Sequence, residues 1–466
     1  MKKLITITLC LILVMSAASF ATKTRTLTMG DNNGILLDEA NIWMYPARIN
    51  DYPDIAVGEF SAGDYEGEKY DGDDDYFSEF GIHWKFGSDN PWILGTYLYN
   101  SQGEFGDDAY LNAILWPVGL ASHADDVEPF GSSQWGFPDT DYSNKRISLF
   151  YGRKLGGYNF GFAFHKLHSS YRAENDDGNN YMDQSFSRYN FSLGLTEGMG
   201  NWDLALHVQM QTWRDKQLID DAGTWSELDK TKPAGNTFFQ LMGRYFPAPI
   251  NPSLRLVPHV SLSFGKFETE DYYDGSGSSP TDYWLTPNTE KMTAFIVDLG
   301  SGLHYTPAAG MLAVMDFGVS YAKLTNEWAD LEANGSGTSS GFDETGEDKY
   351  TMWTLPYMKI GFEGEVLKWL KVRMGATTYW RSLSEEWSFT EDGAAVDYDP
   401  DEPVKWVERW PANKTYLGLE FNWGNLTIDT WTDPDLFLHG FNFISGERED
   451  DGDGRMNAGL SAIYSF

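Results

Sequence analysis

Stretches of about ten residues in which apolar and polar side chains alternate recur along nearly the whole chain, and almost nothing carries the period of an amphipathic helix. In YNFGFAFHKLH, Phe160, Phe162 and Phe164 fall on one side, with Asn159, Gly161, Ala163 and His165 on the other. SFSRYNFSLGL sets Tyr189, Phe191, Leu193 and Leu195 against Arg188, Asn190, Ser192 and Gly194, and WDLALHVQM sets Trp202, Leu204, Leu206, Val208 and Met210 against Asp203, Ala205, His207 and Gln209. LRLVPHVSLSF, LAVMDFGVSY and LKVRMGATTYW behave alike. Strands of water-soluble sheets average about five or six residues. A tilted strand that crosses a bilayer needs about nine to eleven.

The connections alternate as well. Short turns lie at 87–91, 155–158, 197–201, 247–252, 306–311, 364–369 and 423–425, and between them run long segments near 62–77, 102–144, 170–184, 213–235, 267–290, 324–349, 381–411 and 433–455. Long loops at one end and short turns at the other are the habit of transmembrane barrels, whose short turns face the periplasm. The expected fold is all-β: a transmembrane antiparallel β-barrel of about sixteen strands, within fourteen to eighteen, over residues 54–466. An even count places both ends of the barrel on the periplasmic side.

The amino terminus agrees. Residues 1–21 have a basic start at Lys2 and Lys3, an apolar run, and small residues at Ser19 and Ala21, which reads as a secretory signal peptide cut after Ala21. Cys10 is the only cysteine, so the remainder can form neither a disulfide framework nor a thiolate metal site. Loss of Lys2 and Lys3 takes the formal charge from -35 to -37, which argues against nucleic acid as a partner, because phosphate binding needs clustered Lys and Arg. The acids concentrate in the long segments: AGDYEGEKYDGDDDYF carries seven acids and one lysine. Asp71, Asp73, Asp74 and Asp75, with Asp450, Asp451 and Asp453, suit solvated loops bridged by divalent cations among lipopolysaccharide phosphates; neither cluster has the spacing of a dedicated calcium loop, and no resident metal or cofactor is expected.

The chain closes on MNAGLSAIYSF. Leu460, Ala462, Tyr464 and Phe466 share one face, and the segment resembles the carboxy-terminal signature of bacterial outer-membrane proteins, a last strand ending in Phe. That resemblance implies recognition by the barrel-assembly machinery. Residues 22–53 precede the first strand, either as a periplasmic segment or as one inserted in the barrel. Within them DEANIWMYPA, Asp38 to Ala47, resembles the amino-terminal segment of long-chain fatty-acid transport barrels, with Tyr45 where that family has Asn. The resemblance implies a fourteen-stranded barrel with an amino-terminal hatch, while a periplasmic turn set by Pro46 is the other reading.

Aromatic residues at strand ends, namely Trp84, Tyr97, Tyr151, Trp213, Tyr245, Tyr305, Tyr321, Trp380, Trp423 and Trp431, suit girdles at the two lipid interfaces or, alternatively, a sugar-stacking surface. No HExxH or phosphate-cradling loop is present, and LGSGLH lacks the nucleophile-elbow pattern around Ser301, so catalysis is not expected. The inward polar rows carry Arg146, Lys154, Arg188, Arg244, Arg255, Lys359, Lys371 and Arg373, with Asp203, Asp298, Asp316, Glu363 and Glu420, and with His207 and His259. Mixed charge on a pore wall selects solutes by size and sign. The expected function is a porin-like channel of the bacterial outer membrane for passive diffusion of small hydrophilic solutes. The alternatives are a hydrophobic-substrate transporter of the fatty-acid type and a secreted Trp-rich carbohydrate-binding protein or glycosidase. Cell fractionation separates the last from the others: a barrel partitions with the outer membrane and needs detergent for extraction, and recovery in a detergent-free supernatant would reject it.

Overall fold

The computed structural model describes residues 23–62, 76–88, 90–102, 139–174, 181–220, 225–229, 236–276, 283–330, 344–391, 394–395, 404–432 and 458–466. The signal segment with Cys10, the clusters at Asp71, Asp73, Asp74, Asp75, Asp450, Asp451 and Asp453, and the side chain of Trp213 lie outside the described residues. Sixteen antiparallel strands form one sheet, each paired with its neighbours in the chain. They are β1 Ile55–Ala62, β2 Tyr76–Phe86, β3 Trp92–Gln102, β4 Asp139–Leu155, β5 Tyr158–Glu174, β6 Tyr181–Glu197, β7 Trp202–Asp220 and β8 Thr237–Tyr245. Then follow β9 Leu254–Ser276, β10 Tyr283–Tyr305, β11 Met311–Asp330, β12 Glu344–Leu367, β13 Leu370–Glu391, β14 Val404–Trp423, β15 Leu426–Thr432 and β16 Ala458–Ser465. Trp225–Asp229 and Ala394–Ala395 are the outer parts of β8 and β14, paired with β7 and β13. The fatty-acid resemblance implies fourteen strands; the count taken from the turns is the one observed.

The sheet closes on itself where β1 pairs with β16, from Ile55 opposite Ser465 to Ala62 opposite Ala458. One residue further, the Phe466 amide donates to the Asp54 carbonyl at 3.0 Å, and its ring meets Trp84 edge-on with centroids 5.8 Å apart. Leu460, Tyr464 and Phe466 are exposed on the outside, whereas Ala462 is buried. Many strands outrun the ten alternating residues, β12 reaching 24. Only the part within hydrocarbon must alternate, and pairing continues beyond it on the long-loop side.

The outer face is apolar, with Phe60, Leu98, Leu193, Leu204, Val260, Phe264, Leu299 and Met374 all exposed. At the short-turn end Trp84, Tyr158, Tyr245, Tyr305, Trp369, Trp423 and Phe466 form an outward aromatic belt, with Trp353 and Trp380 outward on the opposite side of the band. This exterior places the protein in the outer membrane. Two rings assigned to the girdles from sequence point inward instead. Tyr97 lies over Gly81 and Trp431 over Gly459, each in register with a cross-strand glycine whose missing side chain makes room for the ring. Phe238 over Gly265 and Tyr357 over Gly318 repeat the arrangement. The irregularity between Thr354 and Tyr357 shifts the inward row of β12 from even to odd numbers, so Met352 and Thr354 share the interior with Tyr357, Gly361 and Glu363.

The interior of the short-turn half is filled by the segment before β1. It consists of α1 Lys23–Thr28, a turn, α2 Asn41–Met44 and a 3-10 helix Pro46–Asp51 opened by its proline. Gly30, at φ 76°, ends α1 in the left-handed conformation, and the carbonyl of Ile360 leaves no space for a side chain there. Met29, Ile35, Leu36, Ile42, Trp43 and Ile49 are all within 2% of complete burial, which contributes roughly 1.5–3 kcal/mol for each larger side chain. The wall admits this plug through inward glycines. Gly152, Gly161 and Gly194 lie opposite one another across β4, β5 and β6, and Pro46, Ala47 and Ile49 press against them. Gly361 and Gly375 form the matching pair on β12 and β13 under Met29 and Gly30.

Two outcomes follow. Deletion of Phe466 removes the last bond of the seam and should lower the amount of folded barrel at the cell surface, measured by heat-modifiable mobility and surface labelling; normal levels would refute this. Gly161→Val inserts side-chain atoms where the Ala47 backbone lies and should unseat residues 46–51 at a cost of about 1–3 kcal/mol, read as faster hydrogen exchange there with the wall amides still protected.

Candidate functional site

The charged side chains of the inner wall meet the plug in four groups. On β7 and β8, Asp203 accepts from Arg244 Nε at 2.7 Å, from Arg48 Nη2 at 3.0 Å and from Thr196 Oγ1 at 2.6 Å. Arg244 is fully covered: Nη1 donates to the Leu36 carbonyl at 2.8 Å, Nη2 to Asn41 Oδ1 at 2.8 Å, and the guanidinium lies 4.3 Å from the Tyr45 ring centroid. One wall carboxylate thus holds two guanidiniums, one from the wall and one from the plug. Five fixed donors make arginine suited to binding a carboxylate and backbone carbonyls at once.

The second group spans β12 to β15. Arg25 of α1 donates to Glu363 at 3.0 Å and to Asp38 at 2.7 Å. Glu363 also accepts from Arg373 Nε at 2.6 Å. Arg373 is 0% exposed and pairs in addition with Glu420 and Asp429, while Lys371 stands 2.8 Å from Glu420. Three wall carboxylates are therefore matched by two wall cations and one plug cation. Burial, and then the charge of Asp38, push the neighbouring Glu39 carboxyl well above the usual carboxylate range.

In the third group, on β9 to β13, Lys359 donates to Asp31 at 2.8 Å, Thr377 Oγ1 donates to the Gly30 carbonyl at 2.8 Å, and His304 Nε2 bonds the Ile35 carbonyl at 3.0 Å. Beside them His259 Nε2 lies 2.9 Å from Asp316, and Tyr357 donates to Asp298 at 3.2 Å. The fourth group faces α2 and the 3-10 helix. His207 Nε2 bonds the Met44 carbonyl at 2.9 Å, and Asn50 donates to the Phe160 carbonyl at 3.0 Å. Arg146, paired with Glu79 at 2.6 Å, lies 4.6 Å from the Trp43 ring centroid.

The structure thus brings Arg146, Asp203, His207, Arg244, His259, Asp298, Asp316, Lys359, Glu363, Lys371, Arg373 and Glu420 to the interior, most of them bonded to the plug or to a residue that is. Lys154 is exposed near the short-turn rim, and Arg255 and Arg188 are half-buried. Sequence reasoning missed Glu79 and Asp429, although both sit on alternating inward rows, beside His83 and Trp431. It also missed Arg25, Asp31, Asp38 and Arg48, which lie in a segment without strand period.

On the long-loop side of the plug the wall changes character. Ile296, Ala322, Met352 and Leu383 lie opposite one another across β10 to β13 and form one buried apolar row. Among the described residues, no group of three or more His, Cys, Asp or Glu side chains is placed to hold a metal ion.

No protein-family model and no curated protein matches the chain. Among solved structures it is similar to a variant of the ferric enterobactin receptor PfeA from Pseudomonas aeruginosa, at 9% identity over 89% of this chain and 80% of that one, with a TM-score of 0.33. It is also similar to the ferric-catecholate import receptor Fiu from E. coli K12, at 11% identity over 89% and 81%, with a TM-score of 0.38. For the copper transporter OprC the values are 9% identity, 88% and 80%, and a TM-score of 0.38.

Proposed function

We propose that the protein is an outer-membrane channel for small hydrophilic solutes whose lumen is shut, in this state, by its own residues 23–54. The observation that supports this reading is the charged part of the plug's seat, which lies beside the apolar contacts of Met29, Ile35, Ile42, Trp43 and Ile49. Arg25, Asp31 and Arg48 each meet an opposite charge on the wall, and Arg244 holds plug carbonyls. Desolvation offsets much of the Coulombic attraction of a buried ion pair. If the plug leaves as a unit into a wet lumen, water recovers the charges on both sides, so unseating is less costly than tearing apart an apolar interface of equal size. A barrel of sixteen strands then encloses an aqueous passage. Its wall would present Asp203, Arg244, Glu363, Lys371, Arg373, Glu420 and Asp429, a mixture that sorts solutes by size and sign.

A second reading has its own observation. The apolar row Ile296, Ala322, Met352 and Leu383 lies behind the plug, where a transporter of hydrophobic substrates needs an apolar pocket. Acyl chains or detergent retained in the lumen of the purified barrel would favour it.

Planar-bilayer recording tests the first reading. The full-length chain should show low conductance with brief openings, and a variant lacking residues 23–51, which keeps Asp54 and its seam bond, should conduct steadily. Asp203→Asn leaves Arg48 and Arg244 without their shared carboxylate, a loss of about 3 kcal/mol or more at a buried pair, and should raise the open fraction at least tenfold. Silence from all three proteins would reject the channel.

A further inference from the structure

The outer wall carries one feature that transport does not use. On β4 and β5, at the long-loop end of the apolar band, Lys145, Lys166 and His168 all face outward and are exposed. Lys145 lies directly opposite His168, and Lys166 is two residues below His168 on the same strand. Neighbouring strands are about 4.8 Å apart and alternate residues about 7 Å, so three basic groups share a patch small enough for one phosphate to reach them all. A hydroxyl and an aromatic ring complete the patch: Ser187 Oγ lies 3.0 Å from His168 Nδ1, and Lys166 Nζ stands 5.8 Å from the Tyr189 ring centroid.

This cluster runs against the composition. The chain has 69 acids and 34 lysines and arginines, and several half-buried lysines of the wall are matched: Lys266 with Glu268, Lys291 with Glu327 and Lys349 with Glu347. Among the described residues, no carboxylate pairs with Lys145, Lys166 or His168. Like charges directly opposite on a sheet are destabilising, and an anion from outside the chain would relieve the patch. Its height identifies the source. Tyr158, in the short-turn belt, and His168, level with Lys145, are separated by ten residues of β5, which span about 33 Å along the strand and about 25 Å of height at a tilt of some 40°. The apolar band of such barrels is about 25 Å tall, so the patch sits where the phosphorylated headgroups of the outer leaflet begin. We infer that this face of β4 to β6 binds the phosphoryl headgroup of lipopolysaccharide, with Lys145 and Lys166 as the charged contacts and His168 and Ser187 as hydrogen-bond partners.

The test uses the full chain in detergent and three probes: diphosphorylated lipid A, its dephosphorylated form, and inorganic phosphate. Saturable binding of the first is expected. Lys145→Gln and Lys166→Gln should each weaken it about fivefold, His168→Gln should weaken it through the lost hydrogen bond, and the triple variant should lose at least about 25-fold. Lys323→Gln, exposed on β11 away from the patch, should leave binding unchanged. Heat-modifiable mobility of each variant confirms a folded barrel, and the single variants carry the test if the triple one does not fold. Equal binding by all variants, or equal binding of dephosphorylated lipid A, overturns the proposal. Displacement of lipid A by an equimolar amount of inorganic phosphate overturns the lipid as source and leaves a free-anion site.

Discussion

Hydrocarbon cannot hydrogen-bond a peptide group, and that constraint orders the whole molecule. Every amide of a membrane-crossing strand must find a partner in another strand, so the sheet has no tolerable edge and must close. Pairing of β1 with β16 meets this requirement over the full eight residues of both strands. The outward alternation, the aromatic belt and the short turns at one end follow from holding that closed sheet at a fixed depth. The acidic character of the chain is then free to concentrate where water is, in the segments that join the long ends of the strands.

Closure creates a second problem, because a sixteen-stranded barrel encloses more volume than inward side chains can fill. The segment before β1 fills it in the short-turn half. Two devices let a non-repeating piece of chain pack against a regular wall. Glycines at 161, 194, 361 and 375 let backbone approach backbone, Gly152 makes room for the Ile49 and Asn50 side chains, and arginines at 244 and 373 satisfy several acceptors from a single position. The first device gives shape, and the second neutralises the carbonyls and carboxylates that close approach would otherwise strand.

Sequence showed the wall well and the plug poorly, for a physical reason. A strand announces its two faces with every second residue, so Asp203, Arg244, Glu363 and Arg373 could be placed inside from their neighbours alone. Asp429 escaped because β15 is only seven residues long and its alternation is brief. Tyr97 and Trp431 were misplaced because an aromatic near a strand end looks the same whether it faces lipid or covers a glycine on the next strand. In the plug there is no period to read. The resemblance of Asp38 to Ala47 to a hatch suggested insertion, yet which wall residue meets Arg25 or Arg48 depends on contacts more than 150 positions away. The same alternation had also shown Gly161 and Gly194 on the inward rows, and a run of glycines there marks where something other than water touches the wall.

The bond between Phe466 and Asp54 links the last residue of the chain to the stretch that joins the plug to β1. Because β1 follows the plug directly, the residue that ends the plug is itself held by the seam, so residues 23–54 can shift only about an anchor fixed to the wall. The bond that closes the cylinder is therefore also the tether of its contents.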